Sequence, residues 1–152
     1  MNTYGEKHPD QTYIVRPGVY GIVFDDLKRV ALIKVPYGYL LPGGGIDPGE
    51  DHETCLKREF LEETGYDVSV ESLIEISTQY ILSEKHNKYY ALIGHFYIAT
   101  IQNKRTTPME PDHELVWHSV EEAITLLSQE YQAEAVKTAW ASHKSNTQGE
   151  HA

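Results

Sequence analysis

One stretch near the middle of the chain limits the fold more than any other. It is a glycine run followed at once by an acidic, amphipathic segment, LPGGGIDPGEDHETCLKREFLEETG, at residues 41–65. Proline and glycine mark turns before residue 50, and a glycine such as Gly65 is typical of a helix C-terminal cap. The pattern predicts a turn-rich loop and then a helix that begins near Glu50 or Asp51 and ends at Gly65.

Three glutamates share one face of this predicted helix. Glu59, Glu62 and Glu63 stand at i, i+3 and i+4, where like charges repel by roughly a few tenths of a kcal/mol per pair. The last turn of a helix also disfavours anions. Such a face is either a solvated acidic surface or a site for a divalent cation that offsets the repulsion. The glycines favour the cation site, because backbone without side chains lets a ligand approach closely.

The charge balance restricts the partners. Thirteen Lys and Arg residues stand against 23 Asp and Glu residues, a formal net charge of −10. Polymeric nucleic acid is bound mainly by neutralising phosphates with cationic side chains, so it is not expected as a partner. An anionic small-molecule substrate would need another source of positive charge, and a divalent metal held by carboxylates would provide it.

Cysteine content and hydropathy exclude further classes. Cys55 is the sole cysteine, so neither an internal disulfide nor a cysteine-based zinc site is expected. No apolar run approaches the roughly 20 residues that span a bilayer. The opening residues lack the apolar segment of a secretion signal, and we expect a cytoplasmic protein without a membrane partner.

Short runs rich in β-branched and aromatic residues predict the strands. They are residues 19–24, 29–35, 68–82, 91–101 and 115–117. The first two are separated by the four turn residues 25–28, which predicts a tight hairpin of antiparallel neighbours. The run at 68–82 is long enough that we expect a bend or break inside it.

Two further helices are predicted in the C-terminal third. Ser119 and Glu122 form a capping box before apolar residues at helical spacing, and a second stretch places Ala133, Val136 and Trp140 on one face. The polar tail from about residue 143 should fray. No repeat or linker divides the chain, so we expect one mixed α and β domain over residues 1–152.

The glycine run and acidic helix together resemble the Nudix box, which is a glycine, five residues, Glu, seven residues and then Arg-Glu-U-x-Glu-Glu-x-Gly-U, with U bulky and apolar. The residues at the matching positions are Gly44, Glu50, Arg58, Glu59, Phe60, Glu62, Glu63 and Gly65. Tyr66 departs from the pattern, since an aliphatic residue is usual there. The flanking YGYLLPGG and HELVWHSVEEA also fit the layout of Nudix hydrolases.

The resemblance implies a fold and a reaction. The fold is α/β (α+β), an α/β/α sandwich with a central mixed β-sheet. The reaction is metal-dependent hydrolysis of a pyrophosphate bond in a nucleoside diphosphate linked to another moiety. By the same resemblance, Glu59, Glu62 and Glu63 are ligands of Mg²⁺ or Mn²⁺, the Gly43 carbonyl adds another, and Arg58 orients the cluster.

Roles within the site are open at this point. The general base is either Glu59 or Glu114, and Glu110 and Asp112 compete with Glu114 in the stretch MEPDHELVW. The predicted substrate contacts are Gly44, Gly45 and Tyr39. The eight histidines have no ligand spacing on a shared helix face, and none is assigned to a metal.

Two other functions of the same fold compete with the hydrolase. A ligand-sensing Nudix domain usually loses the box glutamates, which are intact here, and an isopentenyl diphosphate isomerase needs a catalytic cysteine that Cys55 is poorly placed to be. The markers of ADP-ribose and dinucleoside polyphosphate hydrolases are not met, so the substrate within the class stays open. A homodimer is also left open.

Overall fold

Two β-sheets and three helices make up the part of the chain that the structure describes. The structure is a computed structural model that describes residues 1–150, with side chains described for residues 1–144. The elements in chain order are β1 (Asn2–Tyr4), β2 (Tyr13–Ile22), β3 (Arg29–Val35), β4 (Gly38–Leu40), β5 (Gly43–Gly45), α1 (His52–Thr64), β6 (Tyr66–Ser83), β7 (Lys88–Lys104), β8 (Glu114–Ser119), α2 (Val120–Leu126) and α3 (Glu130–Glu150).

The larger sheet is mixed and has the strand order β1-β6-β7-β2-β5. β2 runs parallel to β7 from the pair Tyr13 and Tyr89 to the pair Ile22 and Ile98. β1 is parallel to β6, whereas β6 with β7 and β2 with β5 are antiparallel. The long strand β6 shifts register near Leu73, which confirms the predicted irregularity because an extra residue in a strand bends it.

The smaller sheet corrects the predicted hairpin. β3 pairs with β8 and β4 in an antiparallel three-stranded sheet, not with β2. The chain does turn at residues 25–28, but its antiparallel pairing is limited to the bridge between Phe24 and Val30. The reason is competition for strand edges: β7 and β5 take those of β2, while β8 and β4 take those of β3.

Helices cover both faces of the larger sheet. One apolar cluster packs α1 against β2, β6 and β7, and in it Cys55, Leu56 and Phe60 are fully buried. The other packs α2 and α3 against the opposite face, with Phe96 and Tyr131 at its centre. The predicted sandwich with a central mixed sheet is therefore confirmed.

The helix ends follow the predicted capping chemistry. Asp51 precedes α1 and accepts the Thr54 N–H at 2.8 Å, and Gly65 ends the helix with φ 77°. Ser119 caps α2 by accepting the Glu122 N–H at 3.2 Å. No helix in the described residues is long and apolar enough to cross a membrane. The polar tail, predicted to fray from about residue 143, instead continues α3 as far as Glu150.

Candidate active site

The glycine run forms a strand, where the sequence predicted a loop. In β5, Gly43 pairs with Tyr20 and Gly45 pairs with Gly18, so the run continues the edge of the larger sheet. Gly43 has φ 140°, and a Cβ there would collide with the Val19 carbonyl. A side chain is excluded at this position because the two strands approach too closely.

Two of the helical carboxylates lie directly against this glycine strand. The Glu63 Oε1 accepts the Gly43 N–H at 2.9 Å. The carboxylate of Glu59 lies beside Gly44, and a Cβ at Gly44 would stand 2.6 Å from the Glu59 Oε1. The structure thus brings together Gly43, Gly44, Glu59 and Glu63, four residues that the sequence assigned to one site.

Arg58 organises the acidic face as predicted. Its guanidinium donates from Nε to the Glu50 Oε2 at 2.6 Å and from Nη2 to the Glu50 Oε1 at 2.9 Å. Nη1 reaches the Glu59 Oε1 at 3.0 Å and the Glu62 Oε2 at 3.4 Å. Nη2 also donates to the Gly45 carbonyl at 3.0 Å. One cation therefore links the start of α1, its carboxylate face and the glycine strand.

The local environments separate the acids by pKa. The hydrogen bonds from Arg58 lower the pKa of Glu50 to about 2, and the Asp47 N–H adds to this effect. Burial raises the pKa of Glu63 to about 8, because Glu63 is only 5% exposed and Glu59, Glu110 and Glu62 add like charge. Burial also raises the pKa of Glu59, although Arg58 opposes the shift.

The loop between β7 and β8 covers the end of α1. The Met109 N–H donates to the Glu62 carbonyl at 2.8 Å, and the Gly65 carbonyl accepts the Arg105 N–H at 2.8 Å. The His113 Nδ1 lies 3.2 Å from the Glu63 Oε2. His113 was missed in the sequence, where no histidine was assigned to the site. The signal available was its position inside the acidic stretch that supplied Glu110 and Glu114.

Two predicted residues are not joined to the carboxylate cluster. Glu114 is exposed at the start of β8, opposite Lys34. In the described part of the chain no hydrogen bond or ion pair connects it to the glutamates of α1. Tyr39 lies in β4, where its N–H donates to the Ser128 Oγ at 3.1 Å and its ring meets His118 edge-on at 5.6 Å. The assignments of Glu114 as base and Tyr39 as substrate contact remain predictions.

The donor set suits a hard divalent cation, although it is not preformed. Carboxylate and carbonyl oxygens are the ligands that Mg²⁺ prefers, and a cation would favour the charged forms of the buried acids Glu59 and Glu63. Among the residues described, no three His, Cys, Asp or Glu side chains are grouped so that they could hold a metal ion. Ion binding would have to draw Glu59 and Glu62 away from Arg58.

The fold and the site define a carboxylate-rich α/β/α protein with a glycine strand beside an acidic helix, and comparison with known proteins gives the family. The NUDIX domain model matches residues 15–140. The chain therefore belongs to the Nudix family.

Known proteins resemble the chain in sequence and in fold. A Bacillus subtilis (strain 168) protein, provisionally named an 8-oxo-dGTP diphosphatase, is 33% identical over 79 residues, 50% of this chain and 52% of its own. The RNA pyrophosphohydrolase of Caulobacter vibrioides (strain NA1000 / CB15N) is 43% identical over 63 residues, 38% of this chain and 36% of its own. A NUDIX hydrolase from Nitrosomonas europaea superposes with a TM-score of 0.67 at 18% identity, covering 85% of this chain and 90% of that one.

The sequence similarities and the structural similarity support different conclusions. The matched segments span about half the length of the Bacillus relative (52%) and about a third of the Caulobacter relative (36%). The structural likeness extends over most of the chain but, at 18% identity, it concerns the fold alone.

Proposed function

We propose that this chain is a metal-dependent pyrophosphohydrolase. Its substrate would be a nucleotide derivative in which a nucleoside diphosphate is linked to another moiety. The observation that carries the proposal is the placement of Glu59 and Glu63, two acids with raised pKa values, against the side-chain-free strand Gly43–Gly45. Membership of the Nudix family and the names of the two curated relatives support the same reaction class.

The metal of the proposal is Mg²⁺ or Mn²⁺. Glu59, Glu62 and Glu63 would hold it, with the Gly43 carbonyl as a further ligand. A bound divalent ion supplies charge neutralisation for the phosphates and lowers the pKa of water. These ligand assignments follow the Nudix box, and the support from the structure is that burial makes charged Glu59 and Glu63 costly without a cation.

The chain's own residues divide the remaining work. Arg58 keeps Glu59 and Glu62 oriented toward one another and ties them to the strand through the Gly45 carbonyl. Gly45 gives the diphosphate room to approach the backbone, because nothing lies within 4 Å of the place of its Cβ. At Gly44 that place is next to the Glu59 carboxylate, so a substrate contact there would be made together with Glu59. Hydrolysis then depends on positioning and electrostatic stabilisation more than on covalent chemistry by the protein.

The general base is proposed from the acids near the cluster. Glu59 is the candidate inside the box, and Glu114, at the start of β8, is the candidate outside it. Glu110 competes with Glu114 and has one observation in its favour, since its charge acts on Glu63. Replacing each of the three by glutamine and measuring kcat at saturating metal would rank them, because loss of the base lowers kcat at every metal concentration.

The experiment that tests the function is an assay with Mg²⁺ or Mn²⁺ across four substrate classes: nucleoside triphosphates, nucleotide sugars, ADP-ribose and dinucleoside polyphosphates. We expect hydrolysis of at least one class, abolished by a chelator and restored by either metal. Binding of these compounds without turnover would support the sensing function instead. The substrate profile would also define the subclass, which the box leaves open because it contacts only the shared diphosphate.

A further inference from the structure

The carboxylate of Glu63 is held from two directions. Its Oε1 accepts the Gly43 N–H at 2.9 Å from the glycine strand, and its Oε2 lies 3.2 Å from the His113 Nδ1 on the covering loop. The Glu63 side chain is 6% exposed and that of His113 is 25% exposed. A nearly buried acid of the proposed metal site therefore has one oxygen bonded to a backbone N–H and the other in contact with an imidazole nitrogen, each from a separate element.

Two hydrogen bonds of this kind leave capacity for a ligand. An ionised carboxylate offers about four lone-pair positions on its two oxygens. Gly43 and His113 use one on each oxygen, so each oxygen keeps one for a cation. The contacts also restrict rotation of the carboxylate, which is the usual effect of outer partners on a metal ligand.

The covering loop does not depend on the imidazole for its docking. The Met109 N–H donates to the Glu62 carbonyl at 2.8 Å, and the Gly65 carbonyl accepts the Arg105 and Thr106 N–H groups at 2.8 and 3.2 Å. None of these backbone bonds involves the His113 side chain. The imidazole contact is therefore separable from loop structure by mutation.

We propose that His113 is a positioning residue, which donates from Nδ1 to the Glu63 Oε2 and fixes that carboxylate for the divalent cation. The inference rests on the proposed function, since it assigns His113 a role toward the metal of that site. When a bound cation keeps Glu63 ionised, this role commits the imidazole to one tautomer, with the proton on Nδ1 and none on Nε2.

Four substitutions separate the donor from the ring. His113→Asn keeps a donor close to the place of Nδ1, whereas His113→Gln moves the donor outward by one methylene. His113→Phe keeps the ring without a donor, and His113→Ala removes both. His86, exposed in the turn between β6 and β7, provides the matched control His86→Phe.

The primary measurement is Mn²⁺ binding by the full chain without substrate, followed by the electron paramagnetic resonance of free Mn²⁺. We expect His113→Phe and His113→Ala to raise the Mn²⁺ Kd about 10-fold, with kcat at saturating metal little changed. His113→Asn and His86→Phe should bind as the unchanged chain does. Nitrogen-15 spectra of the chain saturated with Mg²⁺ should show His113 protonated on Nδ1.

The outcomes are distinct. Equal Mn²⁺ affinity in the unchanged chain and His113→Phe would overturn the positioning role and leave the proposed function standing. Weak binding by His113→Asn, equal to that of His113→Phe, would also overturn it, because the ring and not the donor would then matter. Absence of Mn²⁺ binding in the unchanged chain would overturn both proposals. Thermal unfolding of each variant confirms that it is folded.

Discussion

Two glutamates near opposite ends of α1 have pKa values shifted in opposite directions. At the start, Arg58 lowers the pKa of Glu50 to about 2 through two short hydrogen bonds. At the end, burial raises the pKa of Glu63 to about 8. Both are glutamates of one acidic box, 13 residues apart, with Glu50 just before the helix and Glu63 in its last turn. Yet one is charged at low pH and the other resists ionisation.

The two pKa values differ because Arg58 is paired with Glu50 and not with Glu63. Arg58 reaches Glu50, Glu59 and Glu62. No ion pair between Arg58 and Glu63 occurs in the described chain, and the groups that face Glu63 are a backbone N–H and an imidazole. Glu50 thus has a strongly cationic partner within the protein, whereas Glu63 has none, and a bound cation would supply that charge.

The largest expected effect is at the two glutamates in the last turn of α1. Glu62→Gln and Glu63→Gln should each lower turnover by at least about 10²-fold, because each removes a charge that the metal needs. The fold should persist, since glutamine keeps the size of the side chain. Turnover with a nucleotide substrate and thermal unfolding would be measured together.

Glu53→Gln is the matched control for these variants. Glu53 lies in the first turn of α1 and pairs with Lys57 at 2.9 Å on an exposed surface, where ion pairs contribute little. We expect unchanged turnover. Full activity in both Glu62→Gln and Glu63→Gln would show that turnover does not require a cation bound at the end of α1.

An intermediate effect is expected from replacing Glu50, which Arg58 binds directly. Glu50→Gln removes the main partner of Arg58, which would then bind Glu59 and Glu62 more strongly and compete with the metal. We expect the metal concentration for half-maximal activity to rise about 10-fold, with kcat retained. A fall in kcat with unchanged metal dependence would mean that Glu50 acts in the chemistry itself.

A smaller effect should separate neighbouring glycines. Gly44→Ala would press its methyl group against the Glu59 carboxylate, whereas a Cβ at Gly45 meets nothing within 4 Å. Glu59 can rotate away, so we expect Gly44→Ala to lower kcat several-fold, of order 1 kcal/mol in the barrier. Gly45→Ala should leave kcat unchanged and alter only KM, as expected for a substrate contact. Equal kcat values in the two variants would contradict the close packing at Gly44.

The smallest effect is on the stability of the metal-free chain. A carboxyl group whose folded pKa lies above its ordinary value of 4.5 binds its proton more tightly when folded, so stability falls as pH rises from about 4.5 to about 8. We expect the Tm to drop by a few degrees across this range, and to drop less in Glu63→Gln. The lowered pKa of Glu50 acts in the opposite sense, but only below about pH 4.5. A Tm that rises with pH in both proteins would be inconsistent with a buried, neutral Glu63.

The position of α1 and its acidic face could be predicted from local sequence patterns. The capping residues Asp51 and Gly65 defined α1 within a residue or two, and the spacing of Glu59, Glu62 and Glu63 placed them on one face. These features depend on short-range periodicity and caps. The sandwich followed from the resemblance to a family whose motif sits mainly on that helix.

Long-range pairing was not predictable in the same way. The glycine run forms a strand because it pairs with the edge of β2, and β3 pairs with β8 rather than with β2. His113 lies 50 positions from Glu63 in the chain, and no periodicity connects them. Such contacts depend on how distant elements pair and pack against one another, and local sequence patterns do not specify that arrangement.

The strands at the two margins of the larger sheet are short. β1 and β5 each have three residues, and β5 consists of glycine alone. Short margins offer few free backbone groups to a neighbouring chain, which limits lateral growth of sheets and the aggregation that follows from it. A neighbouring chain that extended this sheet would therefore have to pair with the parts of β6 that lie outside its contact with β1 at residues 77–79.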